Sequence, residues 1–223
     1  MPRKVCVLGV KDGLRLALED RLSRAGAKIS EGPDEADFTI GISVPDSCQL
    51  AVMPPGSDSS NAEMAISLID VIIPNGQREW GNGTLLDWIG QIKEGRTPEP
   101  ENGDRFWVNV RDVVDAITVL SLSEGPAVFD GEIPMSGRRA WRNEDVVDEI
   151  RVLWERYSNA ITHAHTVESL SGVPSPVRGI GTEKSAPPDL RPLHNALVES
   201  GGEGWHPLVP MRTSLMELIA STE

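Results

Sequence analysis

An apolar strand that runs through a glycine into an amphipathic helix constrains the fold of this chain more than any other feature. Residues 4–10, KVCVLGV, are almost continuously apolar, which is typical of a strand covered on both faces of a parallel sheet. The following residues 14–26 carry three leucines on one helical stripe and end at a glycine. Because similar runs alternate along the chain, we predict an α/β fold with a mainly parallel sheet.

Composition and charge exclude several classes of partner. The chain has 223 residues, 39% of them hydrophobic, and a formal net charge of −13. Such a charge argues against nucleic acid and anionic membranes as partners, because phosphate affinity comes mainly from clustered Lys and Arg. The longest strongly apolar stretch, 62–73, contains two carboxylates and is shorter than the roughly 20 residues of a membrane span. We therefore expect no membrane partner.

The N-terminus and the metal-binding residue types favour a cytoplasmic protein without a metal. The N-terminal residues are basic but lack the apolar core of a secretory signal, so we expect a cytoplasmic location. Two cysteines and four histidines show no spacing typical of a metal site. We expect no bound metal.

Further periodic segments extend the alternation of strands and helices. The segment 57–68 is predicted as a helix because its start is rich in N-cap residues. We predict strands at 27–30, 37–43, 49–53, 70–75 and 127–130, and helices at 57–68, 84–95, 111–122, 143–157, 190–201 and 213–222.

Four stretches, in their order along the chain, carry a family resemblance. They are DVIIPNGQREWGNG (70–83), RFWVNVRDVVDAI (105–117), GEIPMSGRRAW (131–141) and LRPLHNALVESGGEGWHPLVP (190–210). In this order they resemble the extended short-chain dehydrogenase/reductase family, the NAD-dependent nucleotide-sugar epimerases and dehydratases. The resemblance implies a Rossmann-like, nucleotide-binding-type domain over 1–130, with a small substrate-type lobe over 131–223 interleaved with it.

The chain is shortened relative to that family. Only five residues, VPDSC, separate the strand predicted at 37–43 from the next one. A parallel crossover through a helix takes a dozen residues or more. We therefore expect that one helix, and with it one strand, is missing from this part of the sheet.

The glycines of the first turn depart from the family pattern. In a dinucleotide fold the glycines permit the tight turn, the approach of the pyrophosphate and the packing of helix on strand. On the family's Gly-x-x-Gly-x-x-Gly spacing this chain has Gly9, Asp12 and Arg15, with Gly13 one place late. The resemblance implies that Gly9, Lys11, Asp12 and Gly13 are the cofactor-binding candidates. A carboxylate at Asp12 repels a diphosphate, so binding of NAD or NADP and a turn kept only for packing both remain open.

The catalytic motif of the family is absent. The resemblance implies a Tyr-x-x-x-Lys helix in which lysine lowers the pKa of an acid/base tyrosine. The only tyrosine, Tyr157, lies far outside that region, and Ser57 and Asn61 hold the motif's spacing without its chemistry. No catalytic residue is assigned, and we expect the family's redox chemistry to be lost.

The substrate side departs less from the pattern. The resemblance implies that Arg105 and Arg178 contact the diphosphate of a nucleotide sugar, a task that suits the planar guanidinium. Our hypothesis is a pseudoenzyme, a non-catalytic protein that binds a nucleotide or a partner, either as a homo-oligomer or with a complete paralogue. The alternative is a divergent epimerase or dehydratase with an unassigned base.

Overall fold

A six-stranded parallel sheet forms the centre of the molecule. The structure is a computed structural model that describes residues 2–59, 61–75, 78–124, 129–164, 166 and 185–222. The strand order is β2-β1-β3-β4-β5-β9, and every pair in this sheet is parallel. The elements are β1 Lys4–Gly9, α1 Gly13–Arg24, β2 Lys28–Ser30, β3 Phe38–Ile42, β4 Leu50–Met53, β5 Met64–Leu68, β6 Val71–Ile72, α2 Asn82–Lys93, β7 Asp104–Arg105, β8 Val108–Asn109, α3 Val110–Leu122, β9 Gly131–Met135, β10 Trp141–Arg142, α4 Asn143–Ile161, α5 Arg191–Glu199 and α6 Met211–Ser221. The predicted Rossmann-like α/β class is confirmed.

Helices cover one face of this sheet. The leucine stripe of α1 is fully buried against alternate residues of the strands, and α3 and α5 extend the same layer. We call this apolar cluster the main core. It draws on every strand of the large sheet, including β9, which follows residue 130 and completes the sheet from the second half of the chain. The first and second halves of the chain therefore share one core.

Short loops cover the middle of the opposite face. The seven residues 43–49 join β3 to β4 without a helix, and Ser43 and Ser47 both have a left-handed backbone, with φ of 55° and 60°. The loop lies so close to the sheet that a Cβ on Gly41 would overlap the carbonyl oxygen of Val44. Beneath the loops lies a small cluster of Ala51, Met53 and Ala65. With two residues in the left-handed conformation, the chain thus returns to a parallel strand in seven residues, fewer than a crossover through a helix needs.

The helix predicted at 57–68 is wrong, because the described residues of 57–63 lie in a loop and the rest of the segment is a strand. Residues Met64–Leu68 form β5, which pairs with β4 on one side and β9 on the other. All five side chains of β5 are buried, so its apolar run reflects a strand covered on both faces. Half of the strand predicted at 127–130 lies outside the described residues; residues 129 and 130 are not in a strand, and β9 begins at Gly131.

A second core lies beside the sheet. Side chains of α2, α4 and α6 pack together with Ile72 and Trp107. An ion pair between Arg212 and the buried Glu149 joins α6 to α4. We call this cluster the second core. Within the described ranges no helix has both the length and the hydropathy of a membrane span.

Candidate functional site

The carboxyl ends of β1 and β3 mark the crevice where ligands bind in folds of this kind. The chain leaves β1 for β2 on one side and pairs β1 with β3 on the other, which creates a topological switch point. Gly9 ends β1 with φ of 105°, and a Cβ there would overlap the carbonyl oxygen of Ile42 at the end of β3. The first glycine of the family pattern is therefore kept for a physical reason, the close approach of two strand ends.

Asp12 occupies the N-terminus of α1. It is the N-cap residue, and its Oδ1 accepts a hydrogen bond from the backbone N–H of Arg15 at 2.8 Å. Its Oδ2 accepts a second hydrogen bond, also at 2.8 Å, from the indole Nε1 of Trp80. The two oxygens of this carboxylate thus fasten the first turn of α1 to a residue 68 positions away in the sequence.

Among the other residues of the turn, Lys11 is the exposed cation, and Arg15 is engaged within the chain. The guanidinium of Arg15, at the position of the third family glycine, donates to the carbonyl oxygen of Gly9 and to Glu19. Lys11 is exposed, and Gly13 is the first residue of α1. Since a diphosphate at this helix start would meet the negative charge of Asp12, these residues do not fit the pyrophosphate of a dinucleotide.

On the substrate side, Arg105 is engaged within the protein. Its guanidinium lies 3.4 Å from Oδ1 of Asp70 and stacks over the ring of Trp107, with 5.3 Å to the centroid. The side chain of Arg105 keeps 32% of its surface exposed. Arg105 is therefore an ion-paired arginine whose side chain remains partly exposed. Arg178, the other residue predicted to contact the diphosphate, lies outside the described residues.

Asp70, the ion-pair partner of Arg105, has a strained backbone and was not predicted as a site residue. Its backbone is left-handed, with φ of 51°, and its Oδ2 accepts a hydrogen bond from the backbone N–H of Phe106 at 2.8 Å. Burial raises the pKa of this carboxyl, although the Phe106 N–H and the charge of Arg105 both lower it. A strained acid with a raised pKa is a recurrent feature of functional sites.

Ser57 and Asn61 lie in the loop between β4 and β5 rather than on a helix. The backbone N–H of Ser57 bonds to the carbonyl of Pro54 at 3.2 Å. The amide of Asn61 donates to Asp46 at 2.7 Å, which ties this loop to the one between β3 and β4. Tyr157 packs in the second core, with its ring centroid 5.9 Å from that of Trp154. The structure therefore does not bring these three residues together.

Two cavities, one beside the start of α3 and one beside the start of α5, share Arg138 in their walls. The smaller, of about 200 Å³, is lined by Trp107, Trp141 and the buried Asp112 among others. The larger, of about 540 Å³, lies between Arg138, residues 187–191 and Trp205. The larger cavity is lined by residues of 131–223, the part to which the resemblance assigns substrate, and the smaller one by residues of both parts; neither is lined by Arg105.

Comparisons with known proteins agree with the fold. No protein-family model matches the sequence, and no curated protein matches it. Among solved structures, RMD from Pseudomonas aeruginosa complexed with NADPH has a TM-score of 0.62 at 10% identity, covering 98% of this chain and 98% of that chain. WbmF from Bordetella bronchiseptica in complex with NAD+ has a TM-score of 0.56 at 12% identity, covering 99% and 92%. UDP-glucose 4-epimerase from Thermus thermophilus, in complex with NAD, has a TM-score of 0.55 at 12% identity, covering 98% and 98%.

At such identities the likeness shows the fold alone. The sequence resemblance and the solved structures agree on a Rossmann-like architecture that runs through nearly the whole chain.

Trp80 was not predicted as a site residue, because nothing in the local sequence indicates a partner 68 positions earlier. The mismatch of Asp12 with the glycine pattern was the only sequence signal at that end of the crevice.

Proposed function

We propose that this chain is a non-catalytic relative of the nucleotide-sugar epimerases and dehydratases. The observation that carries the proposal is the connection from β4 to β5. In the family resemblance, this part of the chain is where the Tyr-x-x-x-Lys helix belongs, whereas residues 54–59 and 61–63 form no helix here. Since an acid/base tyrosine acts only when a positioned cation lowers its pKa, the isolated Tyr157 does not replace that helix.

The proposed role is the binding of a nucleotide sugar or of a protein partner. The partial exposure of Arg105 supports the first of these roles, because its side chain keeps 32% of its surface exposed beside Asp70 and Trp107. WbmF, whose fold is similar, is known in complex with NAD+ and UDP. A second copy of this chain and a complete paralogue are the partners we propose. Arg178 is the second phosphate-binding residue in this proposal.

Asp70 favours one alternative, a divergent enzyme of the same family. Its raised pKa and left-handed backbone beside Arg105 are what a general base at a substrate phosphate site would show. In this alternative, Asp70 is the base that the sequence leaves unassigned, and Asp70→Asn abolishes turnover. In the favoured proposal there is no turnover to abolish, and Asp70 only orients Arg105.

The proposal and its alternative are separated by an activity assay. We expect no sugar conversion and no change in absorbance at 340 nm when the chain is incubated with UDP-, dTDP- or GDP-sugars and NAD or NADP. UDP-glucose 4-epimerase from Thermus thermophilus serves as the active control. Any turnover by the purified chain would overturn the non-catalytic proposal.

Binding on the substrate side is measured as the shift in melting temperature with UDP. A ligand that binds only the folded state raises the apparent stability. We expect a shift that Arg105→Ala removes and Arg96→Ala keeps, because Arg96 forms an exposed pair with Glu94 away from this site. Equal shifts in the two variants would count against Arg105 as a phosphate ligand.

A further inference from the structure

The carboxylate of Asp12 lies at the N-terminus of α1. In a dinucleotide fold, the first N–H groups of this helix and its dipole hold the pyrophosphate. Here Oδ1 of Asp12 takes the N–H of Arg15 at 2.8 Å, and the carboxylate lies at the positive end of the helix. One of the N–H groups that a phosphate would engage, that of Arg15, is thus bound from within the chain.

Trp80, just before α2, holds the second oxygen of that carboxylate. Its indole N–H donates to Oδ2 of Asp12 at 2.8 Å, and its ring packs against the main core. The backbone of Trp80 is left-handed, with φ of 57° and ψ of 32°, which is an outlier for a bulky side chain. The next residue, Gly81, is also left-handed, with φ of 82°. Such a backbone persists only where the surrounding contacts over-determine it, and the bond to Asp12 is one of those contacts.

The guanidinium of Arg15 is also engaged within the chain, which leaves Lys11 as the exposed cation of this turn. The side chain of Arg15 turns back across the loop to the carbonyl oxygen of Gly9 and keeps only 17% of its surface exposed. In the family pattern the glycine at this position lets helix pack on strand, whereas this chain has a long side chain here that crosses the turn. Gly9, Asp12, Arg15 and Trp80 are therefore linked by hydrogen bonds across the mouth of the crevice.

We infer that Asp12 and Trp80 form an internal clasp that takes the place of the dinucleotide pyrophosphate. The clasp excludes NAD and NADP from the crevice at the ends of β1 and β3. The absence of dinucleotide binding is then a property built by two side chains, and not a general consequence of the shortened sheet. The inference concerns the cofactor side only and does not depend on what Arg105 binds.

Titration with NADH tests the clasp. We expect no heat of binding and no shift in melting temperature for the natural chain up to about 1 mM NADH, the concentration range of a weak ligand. The double variant Asp12→Ser, Trp80→Ala keeps an N-cap oxygen but loses the charge and the indole. We expect this variant to give a measurable heat of binding and a shift in melting temperature over the same range of NADH concentration. Trp154→Phe is the matched control, because it changes another partly buried tryptophan in the second core.

Two results would overturn the inference. One is binding of NADH by the natural chain; the other is a double variant that is folded by circular dichroism and still binds no NADH. Should the double variant fail to fold, Asp12→Ser and Trp80→Phe are tested singly, and each must gain measurable affinity. As a direct readout, the indole N–H resonance of Trp80, assigned with Trp80→Phe, must be protected from exchange in the natural chain and lose protection in Asp12→Ser.

The outcome is distinct from that of the activity assay. Binding of NADH without turnover would remove the clasp and leave the non-catalytic proposal standing. Turnover without added dinucleotide would remove the non-catalytic proposal and leave the clasp standing.

Discussion

The buried carboxylate of Asp112 binds a segment that is distant in the sequence. Asp112 is 9% exposed, near the start of α3, and accepts hydrogen bonds from the backbone N–H groups of Leu208 at 2.8 Å and Val209 at 3.2 Å. These bonds fix the segment that leads into α6. Burial raises the pKa of Asp112, while the two backbone donors lower it in part. Ionisation of Asp112 therefore costs more free energy in the folded state than in the unfolded state.

The raised pKa of Asp112 predicts a pH dependence of stability. In the folded state the carboxyl binds its proton more tightly than in the unfolded state, so stability falls as pH rises from the unfolded value of 3.8 through the folded pKa. We expect the unfolding free energy of the natural chain, relative to Asp112→Asn, to fall over this interval and then level off. Urea unfolding of both proteins from about pH 3 to pH 7 measures it. A difference that rises with pH would contradict the sign.

At the residue scale, whether a contact can be predicted from the sequence depends on how far apart its two residues lie along the chain. Asp12 was singled out because its departure from the glycine spacing is local and visible in the sequence. Trp80 and Asp70 were missed because their partners lie 68 and 35 positions away, and no local pattern reports such contacts. The N-cap role of Asp12 was also readable in principle, since an aspartate before a helical stripe is a preferred cap.

At the scale of elements, the strand β5 shows the limit of periodicity. A short apolar run does not by itself distinguish a buried strand from a buried helix. The cap-rich start of 57–68 favoured a helix, but pairing with β4 and β9 decides the structure. The other central strands were predicted, because each is bounded by turn residues and is too short for a helix.

The loop between β3 and β4 predicts an unequal response of two glycines to the same substitution. Gly41→Ala forces a Cβ into the backbone of Val44, so we expect a loss of more than about 2 kcal/mol in the free energy of unfolding. At Gly90, inside α2, a Cβ meets no described atom within 4 Å. There alanine removes the conformational cost of a helical glycine, and we expect a gain of about 0.5–1 kcal/mol. Urea unfolding of both variants measures the contrast; equal effects would mean that the loop does not lie against β3.

At the scale of the whole molecule, two cores share their supporting strands. In β6, Val71 belongs to the main core and Ile72 to the second core. At β8, Val108 faces the main core, and the preceding Trp107 faces the second core. A hydrogen bond from Asn109 to Ser214, at 2.9 Å, adds a buried link between the start of α3 and α6. Neither core can be lost without exposing the strands that support the other.

This sharing predicts one cooperative unfolding transition. Leu18 in α1 and Leu85 in α2 are both fully buried, one in each core. We expect Leu18→Ala and Leu85→Ala each to lower the free energy of unfolding by about 2–5 kcal/mol in a single transition. Tryptophan fluorescence and far-UV circular dichroism must coincide during urea unfolding. A variant that splits the transition into two steps would show that the cores unfold separately.

The short loops on the central strands also bear on how quickly the sheet can assemble. Ile40 pairs with Leu50 and Leu50 with Met64, so these partners are only ten and fourteen positions apart. By contrast, β5 pairs with β9 across 67 positions. Short loops between paired strands lower the contact order, and low contact order accompanies fast folding. We therefore expect β3, β4 and β5 to act as a local folding unit, formed before β1 and β9 add to its edges.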